Sequence, residues 1–109
     1  MQMEIEAAGD RLTARIKGEL DHHSAAQARA QLDALLTDER IRELRIDLRG
    51  LTFMDSSGIA VVLRVKKRME ETDGDVFLLD PAPQCARVLR TSGIERFVAI
   101  KFTEGKAAR

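Results

Sequence analysis

The chain reads as an α/β domain: a mixed β-sheet of four or five strands with interspersed helices packed on it. Three observations predict this. Segments in which apolar and polar residues alternate are interleaved with segments whose apolar residues recur at three- and four-residue spacing. The chain opens with two alternating segments around Gly9-Asp10, a hairpin signal. After that hairpin, strand and helix patterns take turns, which implies a sheet that is mostly parallel with antiparallel members.

Met3, Ile5 and Ala7 alternate with polar residues and form the first strand. Leu12, Ala14 and Ile16 alternate with Arg11, Thr13, Arg15 and Lys17 and form a half-buried second strand. Ser24 with Gln27 spells a capping box. Ala25, Ala28, Leu32, Leu35 and Leu36 follow at helical spacing, so a helix is predicted over 24–37. Leu44, Ile46 and Leu48 alternate with Arg45, Asp47 and Arg49 and read as the central strand, with Leu51, Phe53 and Met54 continuing the apolar path to Asp55. A second helix is predicted over 57–70, with Ile59, Val62, Leu63 and Met69 as its inner stripe, widened by Val61 and Val65. Val76-Phe77-Leu78-Leu79 reads as a buried strand. A third helix runs from Pro83 to Ser92 and stops at Gly93, with Cys85, Val88 and Leu89 inward. Phe97, Val98, Ile100 and Phe102 suggest a last strand, and residues 103–109 a flexible tail.

The 109 residues suit one domain, and 44% hydrophobic content is enough for one core. Eighteen basic and 18 acidic residues cancel, and there is no Trp or Tyr. A nucleic-acid binder would carry a basic excess or an aromatic-studded basic face, so that class is excluded. Cys85 is the only cysteine, which rules out an internal disulfide and fits a reducing compartment. The first residues lack a signal-peptide pattern, and no apolar run approaches the ~20 residues of a membrane span. The expectation is a cytoplasmic protein that engages no membrane.

Phe53-Met54-Asp55-Ser56-Ser57-Gly58-Ile59 is the segment that carries chemistry. It sets two hydroxyls where an apolar run gives way to a helix, at the rim of the sheet. A helix start favours negative charge, so a serine there can receive a phosphate while the fold stays intact. The plainer reading is that Asp55 or Ser56 caps the helix. Gly58 fits either reading, since a bare backbone lets another chain come close.

Together with Gly18-Glu19-Leu20-Asp21-His22-His23-Ser24-Ala25, this segment resembles the anti-sigma-factor antagonists, bacterial proteins built on the STAS fold, and among them the sporulation type. Asp80-Pro81-Ala82-Pro83 and Ser92-Gly93-Ile94 extend the likeness over nearly the whole chain. The resemblance implies a STAS-type sheet and a partner-switching cycle. In it the antagonist binds an anti-sigma factor that is also an ATP-dependent serine kinase, and so releases a sigma factor. The kinase phosphorylates the first serine of the Asp-Ser-Ser-Gly motif, here Ser56, and a PP2C-type phosphatase restores it. The resemblance also implies partner contacts at Glu19, Asp21, His22, His23, Asp55, Ser57, Gly58 and Ile59, and no catalytic residue or cofactor on this chain. The C-terminal segment after Phe102 is shorter than in the sporulation type.

His22 and His23 are adjacent with no third ligand pattern, so no metal site is expected. The basic run Arg64, Lys66, Lys67 and Arg68 suits a solvated helix face. The acidic cluster and late lysine of a response regulator are not assembled, and Gly-x-Ser-x-Gly is absent, which leaves no hydrolase reading. Two other classes stand beside the antagonist. One is a STAS adaptor module in a transport or signalling complex that is never phosphorylated. The other is a small nucleotide-binding or nucleotide-hydrolysing domain, which the missing phosphate-binding loop disfavours.

Overall fold

A computed structural model describes residues 1–103 of the chain. The opening hairpin pairs β1 (Gln2–Ala8) with β2 (Arg11–Leu20) in antiparallel register, from Gln2 opposite Lys17 to Ala8 opposite Arg11. Its two-residue loop uses Gly9 at φ 62°, a left-handed conformation that glycine adopts without strain. Helix α1 (His22–Leu35), β3 (Glu43–Asp47), β4 (Leu51–Met54), α2 (Ser56–Glu70), β5 (Asp75–Leu79), α3 (Pro83–Ser92), a 3-10 turn (Ile94–Arg96) and β6 (Ala99–Lys101) follow. The sheet order is β1-β2-β3-β5-β6, with every pair after the hairpin parallel.

Alternation in the strands sorts the two faces of the sheet. Leu12, Ala14, Ile16 and Leu20 of β2, Leu44 and Ile46 of β3, and Val76 and Leu78 of β5 are buried. They meet Ala28 and Leu32 of α1, Val61, Val62, Val65 and Met69 of α2, and Cys85 and Leu89 of α3 in one core. The opposite face is charged. Arg11 pairs with Glu43, Arg15 with Glu6 and Asp47, and Lys17 with Glu4, across neighbouring strands. Phe77 of β5 lies on this open face under Lys101, whose Nζ is 4.1 Å from the ring centroid. In this run Val76, Leu78 and Leu79 are buried and Phe77 is half-buried.

Four expectations are corrected. The sheet has six strands. The extra one is β4, because Leu48–Gly50 breaks the path: the Asp47 carboxylate accepts from the Arg49 N–H at 2.9 Å, and Leu51 N–H returns to the Leu48 carbonyl at 3.1 Å. β4 then pairs with the end of β2, Leu20 opposite Met54, so the serine turn is delivered beside β2 and not by β3. Leu63 is 42% exposed. The buried stripe runs through Gly58, Val61, Val62, Val65 and Met69, and Leu63 lies about half a turn away from it. Phe97 ends the 3-10 turn 60% exposed, so the last strand keeps only Ala99–Lys101. Of the tail expected over 103–109, only Thr103 falls among the described residues, and it is anchored. Its N–H and hydroxyl donate to the Asp80 carboxylate at 2.8 and 2.6 Å, beside the Arg49 guanidinium.

Candidate functional site

Two helices begin side by side. β2 and β4 end in register, and the Asp55 N–H reaches the Leu20 carbonyl at 3.4 Å. Each strand is followed at once by an aspartate N-cap, Asp21 for α1 and Asp55 for α2. Their backbones are nearly the same, φ −123°, ψ −171° for Asp21 and φ −121°, ψ −168° for Asp55. The rim therefore presents two positive helix ends, each answered by one carboxylate.

The caps differ from the sequence expectation at α1. The helix starts at His22, and the capping box is Asp21 with Ser24, not Ser24 with Gln27. The Asp21 carboxylate accepts from the backbone N–H of His23 and of Ser24, both at 3.0 Å. The Ser24 hydroxyl returns to the Asp21 N–H at 3.0 Å and donates to the Glu19 carbonyl at 3.0 Å. The strand runs straight to Leu20, so the first free side chain after it takes the cap. The Ser24 N–H, with further help from its hydroxyl and the His23 N–H, holds the Asp21 carboxyl below the usual carboxylate range. Asp21 is thus a structural cap, whatever else it touches.

At α2 the Asp55 carboxylate accepts from the Ser57 N–H at 2.8 Å. That removes the capping role from Ser56. Ser56 is the first residue of the helix and exposed, and its hydroxyl has no hydrogen-bond partner among the described residues. Ser24, the third residue of α1, is buried and its hydroxyl is engaged. Of the three rim serines, Ser24 is tied down, while the hydroxyls of Ser56 and Ser57 have no partner among the described residues, and of those two Ser56 is the exposed one.

Glu19, His22 and His23 are exposed near this rim, and Asp55, Ser57 and Ile59 are half-buried. The His22 and His23 rings stand edge to face, 5.9 Å apart. His22 and Ser57 border one groove, between α1 and α2, while Ser56 and Ile59 border another, between α2 and α3. Gly58 does not join them. It is buried, and a Cβ there would stand 2.7 Å from Met54 Cγ and 3.2 Å from Leu20 Cδ2. Its bare backbone lets α2 sit on its own sheet, so it is no place for a partner's approach. Among the described residues no group of three or more His, Cys, Asp or Glu could hold a metal ion, and no helix is long and apolar enough to cross a membrane.

Gln84 and Arg87 of α3 were not foreseen. Gln84 grips the backbone of Met54, accepting from its N–H at 3.0 Å and donating to its carbonyl at 3.1 Å. This fixes α3 against the strand that leads into Ser56. No local pattern announces a bond between residues so far apart in the chain.

Comparison with known proteins agrees with this architecture. The STAS domain family matches residues 2–107. An anti-sigma F factor antagonist of Paenibacillus polymyxa is 33% identical over 107 residues, which is 98% of this chain and 92% of that protein. The unphosphorylated form of the anti-sigma factor antagonist SpoIIAA superposes with a TM-score of 0.83 at 28% identity, over 98% of this chain and 92% of that one. The phosphorylated form of SpoIIAA, a Bacillus cell fate determinant, gives 0.75 at 28% identity, over 98% of this chain and 96% of that one. With its hairpin-led sheet, its paired helix starts and this degree of likeness, the chain belongs to the STAS domain family of anti-sigma factor antagonists.

Proposed function

We propose that the protein is a partner-switching antagonist that binds an anti-sigma factor with serine kinase activity, frees the sigma factor, and is switched off by phosphorylation of Ser56. The γ-phosphoryl group of ATP passes to the Ser56 Oγ, which loses its proton, and ADP leaves. A PP2C-type phosphatase hydrolyses the phosphoserine and restores the hydroxyl. The observation that carries this reading is the unengaged, exposed Ser56 hydroxyl on a helix whose cap is already supplied by Asp55. The fold does not need that hydroxyl, so modification is free to act on the surface alone. Relatives named as anti-sigma factor antagonists support the partner class. The existence of SpoIIAA in phosphorylated and unphosphorylated forms supports the switch.

The docking surface in this reading is the rim made by Glu19, Asp21, His22, His23, Asp55, Ser57 and Ile59. A phosphate in its midst adds about −1.5 to −2 charges. A like-charge clash or a lost charge-assisted contact in an interface is worth several kcal/mol, and each 1.4 kcal/mol is tenfold in affinity. The test is the affinity of the purified anti-sigma kinase from the same cell for three forms of the protein. Wild type and Ser56→Ala are expected to bind alike, and Ser56→Asp at least tenfold more weakly. Equal binding of all three would remove residue 56 from the interface.

A further inference from the structure

The groove beside Ser56 holds about 340 Å³ between the start of α2 and the outer side of α3. Ser56 and Ile59 border it on one side, Arg87 and Val88 on the other, and among the described residues Arg87 is the only charged one along it. Arg87 is exposed and makes no hydrogen bond or ion pair among the described residues. The position of α3 here is well determined. Gln84 holds the N–H and carbonyl of Met54, two residues before Ser56. Arg87 stands three residues after Gln84 and so on the same side of α3, one turn further on. Arg90 points elsewhere and borders a different cavity, with Pro81, Glu95 and Phe102.

We propose that Arg87 is the intramolecular receptor for the phosphoryl group on Ser56, and that it closes over the groove when it takes that group. The inference rests on Ser56 being the phosphoacceptor. A phosphoserine dianion offers three acceptor oxygens, and a guanidinium fork matches two of them. The other charges gathered near this rim are Asp55 at the start of α2, Asp21, His22 and His23 at the start of α1, Glu19 on β2, and, along the α1–α2 groove that Ser57 borders, Arg29 and the Asp33-paired Arg64. The carboxylates among them repel a phosphate and the α2 start attracts it; Arg87 is the cation that borders the same groove as Ser56, whereas Arg29 and Arg64 border the groove on the other side of α2. Drawn to the phosphate, the Arg87 stem lies over Ile59 and Val88. Modification then does two things at once: it adds charge at the rim and covers the apolar groove next to it.

The test installs phosphoserine at position 56 during synthesis by genetic code expansion, so no kinase is involved. The second ionisation of the phosphate, ordinarily near pH 6, is followed by phosphorus NMR in the full chain and in Arg87→Gln, Arg87→Lys and Arg90→Gln. The parent protein is expected to ionise at least about 0.5 pH unit below Arg87→Gln, because an adjacent cation favours the dianion. Arg87→Lys is expected to recover part of that difference and Arg90→Gln to match the parent. The proposal is overturned if parent and Arg87→Gln ionise together, or if Arg90→Gln moves the phosphate as far as Arg87→Gln does. Failure of a kinase to modify Ser56 would refute the proposed function and leave this titration readable.

Discussion

Gly58→Ala tests where α2 gets its seat. On helix propensity alone the change helps, by up to about 1 kcal/mol in a helix interior. The structure opposes it. The new methyl would meet Met54 Cγ at 2.7 Å and two Leu20 carbons at 3.2 Å. Met54 is 0% and Leu20 1% exposed, so neither has open space to move into. Met54 Cγ is also close to the backbone, and the backbone of Met54 is held by Gln84. Overpacking of this kind costs about 1–3 kcal/mol. The net expectation is a loss of about 1–2 kcal/mol, read as a fall in Tm of roughly 5–10 °C for a domain of this size. Urea unfolding gives the same quantity from the midpoint at unchanged slope. A Gly58→Ala protein as stable as wild type, or more so, would refute the packing argument and return Gly58 to the outer surface.

Three other expectations concern the rim. Asp21→Ala is expected to lower Tm by on the order of 5 °C at pH 7. The folded Asp21 carboxyl titrates below its unfolded range, so its stabilising effect is complete above that range and is lost as pH falls through the folded pKa. The gap between wild type and Asp21→Ala should therefore narrow in melts taken at steadily lower pH, and a gap that stays constant would refute the cap assignment. Ser56→Asp should melt within about 2 °C of wild type, since a carboxylate at a helix start is tolerated; a large loss would mean that the charge acts on the fold. Gln84→Ala leaves the N–H and carbonyl of Met54 without these partners and should cost about 1–3 kcal/mol in urea unfolding; unchanged stability would show that these two bonds do not hold α3 in place.

The strands that alternate were legible because one face of the sheet is buried and the other is charged: Leu12, Ala14 and Ile16 against Arg11, Thr13, Arg15 and Lys17 leave little choice of register. β4 was not, since four residues with only Leu51 and Met54 buried carry no period to read. At the α1 start, two polar residues three apart both invite a capping box, and only the length of β2 decides that Asp21 takes the cap. Leu63 was misplaced because five apolar residues in a row, Ile59 to Leu63, fit more than one stripe until the facing sheet selects one. At the site itself, the Asp-Ser-Ser-Gly segment located the serine turn. It did not tell which of its members serve the fold. That division, Asp55 as cap, Gly58 against the core and Ser56 left open, arises from the neighbouring ends of β2 and β4. Gln84 and Arg87 owe their places entirely to how α3 docks.

The sharpest single experiment is phosphate mapping by mass spectrometry after incubation with ATP and the anti-sigma kinase of the same cell. A single phosphoryl group on Ser56, none on Ser57 or Ser24, and no incorporation into Ser56→Ala is the expected result. Phosphate on Ser57, or undiminished labelling of Ser56→Ala, would contradict the claim that Ser56 is the hydroxyl the fold leaves open to another enzyme.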